Sequence, residues 1–343
     1  MASHRRPKQP SRTRVTVLTA TAAAAVALTS QAAQAAPKPS KDQVKAKTDA
    51  LYEQAEKATE EYDGAKDKQK KLEQEIADLQ DKVARGQSDL NTLRDGLGSL
   101  ASAQYRTGGI DPSVQLFLSS NPDDYLDKAS KLDQLSAQQI EQLKKVQKKQ
   151  RMLAQQRQEA STKLKDLADT RTELGKKKKE VQAKLGQAQK LLNTLTAQEK
   201  ATLAAKEERA SRDSARSVLG DAKPASGRAG AAFQAAQTKI GTPYVYGASG
   251  PSSFDCSGLT SWAYAQAGVS IPRTSQEQAN IGTRIYSQSD LQVGDLVFFF
   301  GDLHHVGLYA GNGQILHAPR TGTVVRYESM STIGGPFEFG VRV

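Results

Sequence analysis

The chain has 343 residues but only one cysteine, one tryptophan, three methionines and four histidines. A lone cysteine excludes an intrachain disulfide and any metal site built from several thiolates. No HExxH-type motif is present, so no compact zinc-hydrolase signature competes for the histidines. Aromatic residues are scarce before Gly230: 14 of the 19 lie after it, so a large-side-chain core is excluded from the first two thirds. The longest uncharged apolar run, Val15 to Ser30, is too short and alanine-rich for a membrane span. The net charge of +11 is spread out: five basic and no acidic residues in Met1 to Ala35, 37 against 30 to Ala229, and 6 against 7 thereafter. Basic residues interspersed with acids argue against nucleic acid as a partner.

What is present begins with a leader. Arg5, Arg6, Lys8, Arg12 and Arg14 precede the apolar run, and Ala33-Gln34-Ala35 closes it. Basic, apolar and small residues in that order predict a secretory signal peptide over residues 1–35, cleaved after Ala35, and hence a secreted, extracellular or wall-associated protein. A free thiol is unusual in an oxidising compartment, which favours a functional rather than a structural cysteine.

From Lys41 to about Arg106, Leu72, Ile76, Leu79, Val83, Leu90, Leu93, Leu97 and Leu100 recur at intervals of three, four or seven. A second run, from Asp123 to about Ser217, places Leu164, Leu167, Leu174, Val181, Leu185, Leu192 and Leu195 at similar intervals. Both are heptad seams, and each needs a partner. Gly108, Gly109, Pro112 and Pro122 break the chain between them, which predicts an antiparallel two-helix coiled coil over residues 36–217 with its tip near 105–122. Helices of ~65 residues would form a rod on the order of 100 Å long. The tip's apolar Val114 to Leu118 offers either a docking face for a membrane-protein or cell-wall partner or a cap for the hairpin. Lys176 to Lys179 reads as a solvated face or, alternatively, as a contact for anionic wall polymer.

Residues 218–230, rich in Gly, Pro and Ala, read as a linker to a globular domain over residues 231–343. Helical patterns come first there, at Ala231 to Ile240, after Cys256 and near Gln276 to Ile281. Strand patterns follow at Asp295 to Phe300, His304 to Ala310, Gln314 to Ala318, Thr323 to Tyr327 and Phe337 to Val341. Gly311-Asn312-Gly313 marks a hairpin turn. Helices followed by antiparallel strands give an α+β class. Cys256 falls in the first turn of a helix after a Gly- and Ser-rich loop, where free N–H groups and the dipole favour thiolate. Asp255 is placed to cap that helix, and Ser257 either lines a cleft or simply fills the first turn. His304, His305 and His317 lie on two strands joined by the turn, close enough for one imidazole to orient another. Alternation sends His304 and His305 to opposite faces. His305 shares its face with Gly307 and is therefore the base that reaches Cys256.

These residues resemble the NlpC-type cell-wall peptidases, papain-like cysteine endopeptidases of bacterial peptidoglycan. The resemblance spans about residues 231–343 and rests on six motifs in order: Pro243 to Gly247, Phe254 to Leu259, Pro272 to Ser275, Val293 to Phe299, His305 to Tyr309 and Ile315 to Pro319. Tyr246, often Trp in the family, and Ala248, commonly Gly, depart from the pattern. The resemblance implies a papain-like fold, with Cys256 as nucleophile, His305 as base and His317 as the third polar residue. It further implies that Tyr244 helps the Cys256 amide hold an oxyanion, that no cofactor is needed, and that the scissile bond joins D-γ-glutamyl to a diamino acid. A long two-helix rod ahead of such a domain is also similar to cell-separation hydrolases, in which the rod restrains the catalytic domain or recruits it to a membrane complex. Two alternatives stay open: a non-catalytic wall-binding scaffold, and a metal hydrolase using His304, His305, His317 and Asp302.

Overall fold

The computed structural model describes residues 39–106, 114, 117, 118, 122–221 and 227–343. The leader expected over residues 1–35 and most of the expected tip lie outside them. Of the tip, Val114, Phe117 and Leu118 are exposed. Among the described residues, no helix is long and apolar enough to cross a membrane.

Helix α1 runs unbroken from Lys41 to Arg106 and α2 from Pro122 to Leu192. The expected seam residues are where the two helices meet: Leu72 and Ile76 pack with Leu167, and Leu90 with Val146 and Leu153. Ion pairs flank the seam at Asp89–Lys149 (2.7 Å), Glu75–Lys163 (2.6 Å) and Glu61–Lys177. The α1 number falls as the α2 number rises, so the helices are antiparallel. Lys177 pairs with Glu61, while Lys176, Lys178 and Lys179 are exposed.

The second helix does not continue to Ser217 as the periodicity suggested. It stops at Leu192, and α3 starts at Ala197 and ends at Asp221. Thr196 and Glu199 explain the break by capping each other: Thr196 Oγ1 accepts from the Glu199 N–H at 3.2 Å, and the Glu199 carboxylate accepts from the Thr196 N–H at 2.8 Å. The predicted linker is also partly helical. Val218, inside α3, packs into the core of the C-terminal domain, and α4 already begins at Gly227 and ends at Gln237. Burial of an apolar side chain thus overrides the Gly and Ala composition on either side.

The remaining elements are helices α5 (Cys256–Gln266) and α6 (Ser275–Gln278) and strands β1 (Thr283–Ile285), β2 (Leu296–Phe299), β3 (His305–Gly311), β4 (Gln314–His317), β5 (Arg326–Ser329) and β6 (Phe337–Arg342). They build a six-stranded antiparallel sheet in the order β1-β6-β2-β3-β4-β5. Three-residue β1 was not anticipated, being too short to show a period. β5 starts later than expected because Val324 pairs with Pro243 instead. Asn312 and Gly313 both have positive φ, which a tight β3–β4 turn requires. Leu296, Phe298, Val306, Leu308 and Leu316 pack with α4 and α5 into the main core. Each such side chain contributes roughly 1.5 to 3 kcal/mol on burial, so α5 is held against the β3–β4 centre of the sheet by several of them.

Candidate active site

Two structural elements present the chemistry. Asp255 is the N-cap of α5, its Oδ1 accepting from the Gly258 N–H at 2.7 Å, and this fixes the first turn that carries Cys256. A Cβ at Gly258 would lie 2.1 Å from the Ala248 carbonyl oxygen, so only glycine lets the preceding loop sit on the helix start. On the sheet, a Cβ at Gly307 would stand 3.1 Å from that of His317, so its absence lets β3 and β4 bring their imidazoles together.

The structure assembles Cys256, His305 and His317 in one buried cluster. Cys256 Sγ and a His305 ring nitrogen lie within 4.8 Å of each other. His305 Nε2 is 2.8 Å from His317 Nδ1, and His317 Nε2 is 3.3 Å from Glu328 Oε2, which Arg326 holds at 2.7 Å. The chain of partners determines the tautomers. A carboxylate can only accept, so His317 carries its proton on Nε2 and offers Nδ1 to the Nε2–H of His305. His305 Nδ1 is left outside the imidazole pair and lies against the Glu56 carboxylate. Burial, with His305 adding to it, holds His317 down to about 4, so it stays neutral. Tyr244 is buried as well. Burial first, then the Glu56 carboxylate and the Cys256 sulfur, push its phenol well above its ordinary value, so it remains a donor.

The His304 imidazole stays outside this cluster, although the residue's backbone carbonyl accepts from the Cys256 thiol at 3.7 Å. It pairs with Asp302 and stacks on Phe300 at 4.1 Å, so the His304, His305, His317 and Asp302 set does not converge.

Sequence reasoning missed the three side chains that α1 brings to this cluster. Glu56 Oε1 lies 2.5 Å from His305 Nδ1. Glu60 Oε1 accepts from the Ser257 hydroxyl at 2.6 Å and from the Cys256 thiol at 3.3 Å, and its Oε2 accepts from the Ser275 N–H at 2.7 Å. Asp63 takes Arg273 at 3.0 Å, and that guanidinium also binds Asp255 and Ser257. Ser257 is therefore both a first-turn residue and a contact for α1. With Asp49 and Tyr52, which meet Arg320, these residues form one helical stripe at intervals of three and four. The stripe is written in the sequence, but α1 is so densely charged that nothing distinguishes it there.

The stripe reverses the expectation for the thiol. Burial, then Glu60, Glu56 and Asp255, push Cys256 well above its ordinary value, so it is a protonated donor at 1% exposure rather than a thiolate. Burial, together with the three nearby carboxylates, outweighs the helix-start dipole. For His305, burial alone would lower the pKa, but the Glu56 carboxylate outweighs it and raises it. Glu60 is raised to about 7, by burial and then by Asp255. Glu56, Cys256 and His305 also offer ligand atoms mutually within 4.8 Å that could hold a metal ion. One of these ligands comes from α1, so such an ion would fasten the helix over the thiol.

Residues 241–334 match the model of the NlpC/P60 family. The C-terminal part of this chain is an NlpC/P60 domain. It is similar to a probable endopeptidase of Corynebacterium glutamicum, 51% identical over 121 residues, which are 35% of this chain and 56% of that protein. A probable endopeptidase of Mycobacterium tuberculosis is 43% identical over 104 residues, 30% of this chain and 27% of that protein. The chain thus spans about half or less of the curated relatives it matches. The solved NlpC/p60 domain of the peptidoglycan hydrolase SagA is 36% identical, with 34% of this chain and 98% of that one covered and a TM-score of 0.31.

Proposed function

We propose that this protein is a secreted peptidoglycan endopeptidase of the cysteine type, held latent by α1. The observation that carries the catalytic half is the Sγ to imidazole separation within 4.8 Å, backed by the His305–His317–Glu328 chain. With α1 displaced, His305 Nδ1 takes the Cys256 proton and the thiolate attacks the D-γ-glutamyl carbonyl. The Cys256 amide and the Tyr244 hydroxyl hold the oxyanion, each donor worth roughly 3 to 4 kcal/mol. His305 returns the proton to the leaving amine of the diamino acid, and water releases the acyl group from sulfur. The names of the relatives and the six motifs support the reaction class.

The latent half rests on Glu56 and Glu60. One takes the nitrogen that must receive the proton, and the other takes the thiol itself. Restraint by the helical region therefore has a specific chemical form. The test is mass spectrometry of muropeptides digested by the full chain, its Cys256→Ala variant and a Glu56→Ala/Glu60→Ala variant. The unlatched variant should yield products ending at γ-D-glutamate, and Cys256→Ala none. Products from Cys256→Ala would overturn the nucleophile, and equal rates with and without the two glutamates would overturn the latch.

A further inference from the structure

Beside the imidazoles lies a cleft of about 550 Å³ whose lining includes His305, His317, Arg320 and Arg326. Three of the six basic residues in the domain, Arg273, Arg320 and Arg326, are paired with carboxylates of α1 or α3. Arg320 bonds Glu207 of α3 at 2.6 Å and Asp49 of α1 at 3.5 Å, and lies 4.8 Å over the Tyr52 ring. Removing α1 takes Asp49, Glu53, Glu56, Lys45 and Tyr52 from the lining. Arg320, Arg326 and Lys206 then face Glu207 and Glu328, and the cleft becomes net positive. Glu207 keeps the Arg320 guanidinium in place while the position of Asp49 falls vacant.

Resting on the proposed function, the side of the cleft is settled by chemistry. His305 protonates the leaving amine, so the leaving portion of the substrate lies on the imidazole side, where this cleft opens. We propose that Arg320 is a carboxylate-recognising subsite for that portion, occupied by Asp49 as a substrate mimic in the latent state. The enzyme then selects a diamino acid whose side chain ends in a free carboxylate over one that is amidated or is lysine. An arginine already oriented by one carboxylate is suited to this, because a second accepts from its remaining N–H groups at little ordering cost.

The test is calorimetric binding to the full chain carrying Cys256→Ala, Glu56→Ala and Glu60→Ala, with and without Arg320→Gln. The probes are L-Ala-γ-D-Glu-diaminopimelate peptides with free and amidated side-chain carboxylate and the lysine equivalent. The free carboxylate should bind about tenfold tighter than the other two. Arg320→Gln should erase that ratio and leave lysine-peptide affinity unchanged, and Arg320→Lys should restore part of it. Equal binding of the three peptides, binding of none, or a ratio that survives Arg320→Gln overturns the proposal. Because binding is read without catalysis, a failure of the hydrolase reading would show separately, as absent cleavage by the chain that retains Cys256.

Discussion

The two ends of α1 teach different lessons about charge. From Gln69 to Arg106 its charged residues sit at the surface, and its pairs with α2 are exposed, of the kind worth about 0 to 1 kcal/mol each. From Asp49 to Asp63 the same helix buries Glu56, Glu60 and Asp63 against the NlpC/P60 domain. Buried carboxylates are costly unless satisfied. Helix pairing alone gives no reason to bury them, because the seam further along is apolar. Their cost is offset by a thiol, an imidazole, a hydroxyl, an amide and a guanidinium of that domain. Under the proposed function, this buried charge on an otherwise solvated helix is what holds the thiol covered.

The comparison would be broken most severely by the nucleophile. In an unlatched chain, Cys256→Ala should reduce peptidoglycan hydrolysis by about 10⁴-fold or more, measured by muropeptide release; retained activity would leave the buried stripe with nothing to guard. Next, Glu56→Ala/Glu60→Ala should raise the rate of Cys256 alkylation by iodoacetamide by about ten- to a hundredfold. An unchanged rate would mean the contact carries no coupling.

Glu328→Ala in the unlatched chain should lower kcat by about ten- to a hundredfold through loss of the His317 tautomer, a smaller loss than removing the orienting member of a triad. Nitrogen-15 spectra of the histidines should show His317 losing its Nε2–H preference. An unshifted spectrum would reduce Glu328 to a packing role.

A smaller effect follows from pH. Glu60 is raised to about 7 in the docked state by burial and by Asp255, so docking binds a proton. Its contribution is complete below the ordinary carboxylate range and is lost as pH rises through about 7. His305, raised by Glu56, and Cys256, raised by burial and the same carboxylates, act in the same direction. Between pH 6 and 8.5, alkylation of Cys256 in the full chain should therefore rise several-fold more than for the Glu56→Ala/Glu60→Ala variant. Parallel profiles would show that these groups do not govern the latch. The smallest effect belongs to the distal pairs: Lys163→Ala should change stability by less than about 1 kcal/mol and leave the alkylation rate unaltered.

Much of the architecture could be read before any coordinates. Leucine spacing located both long helices because a seam buried by a partner must recur every turn or two. Cys256, Asp255, His305 and His317 were found because helix starts, caps and hairpins have local signatures. The break at Thr196 was missed although Thr196 and Glu199 announce it, since Leu192 and Leu195 happened to stay in phase. Glu328 and Arg273 were passed over as charged residues among many. Their roles come from partners 11 and 18 residues away, His317 and Asp255, across strands and a loop.

By itself the sequence determined the elements: two long amphipathic helices, a sheet domain, and a thiol and imidazoles on neighbouring pieces of it, because periodicity, caps and turns act over a few residues. Only the tertiary structure decided the state of the thiol. Glu56 and Glu60 lie about 200 residues before Cys256 along the chain, and no local rule sets which face of α1 meets the cleft. Packing brought those carboxylates to the sulfur, and burial beside them turned an expected thiolate into a covered thiol.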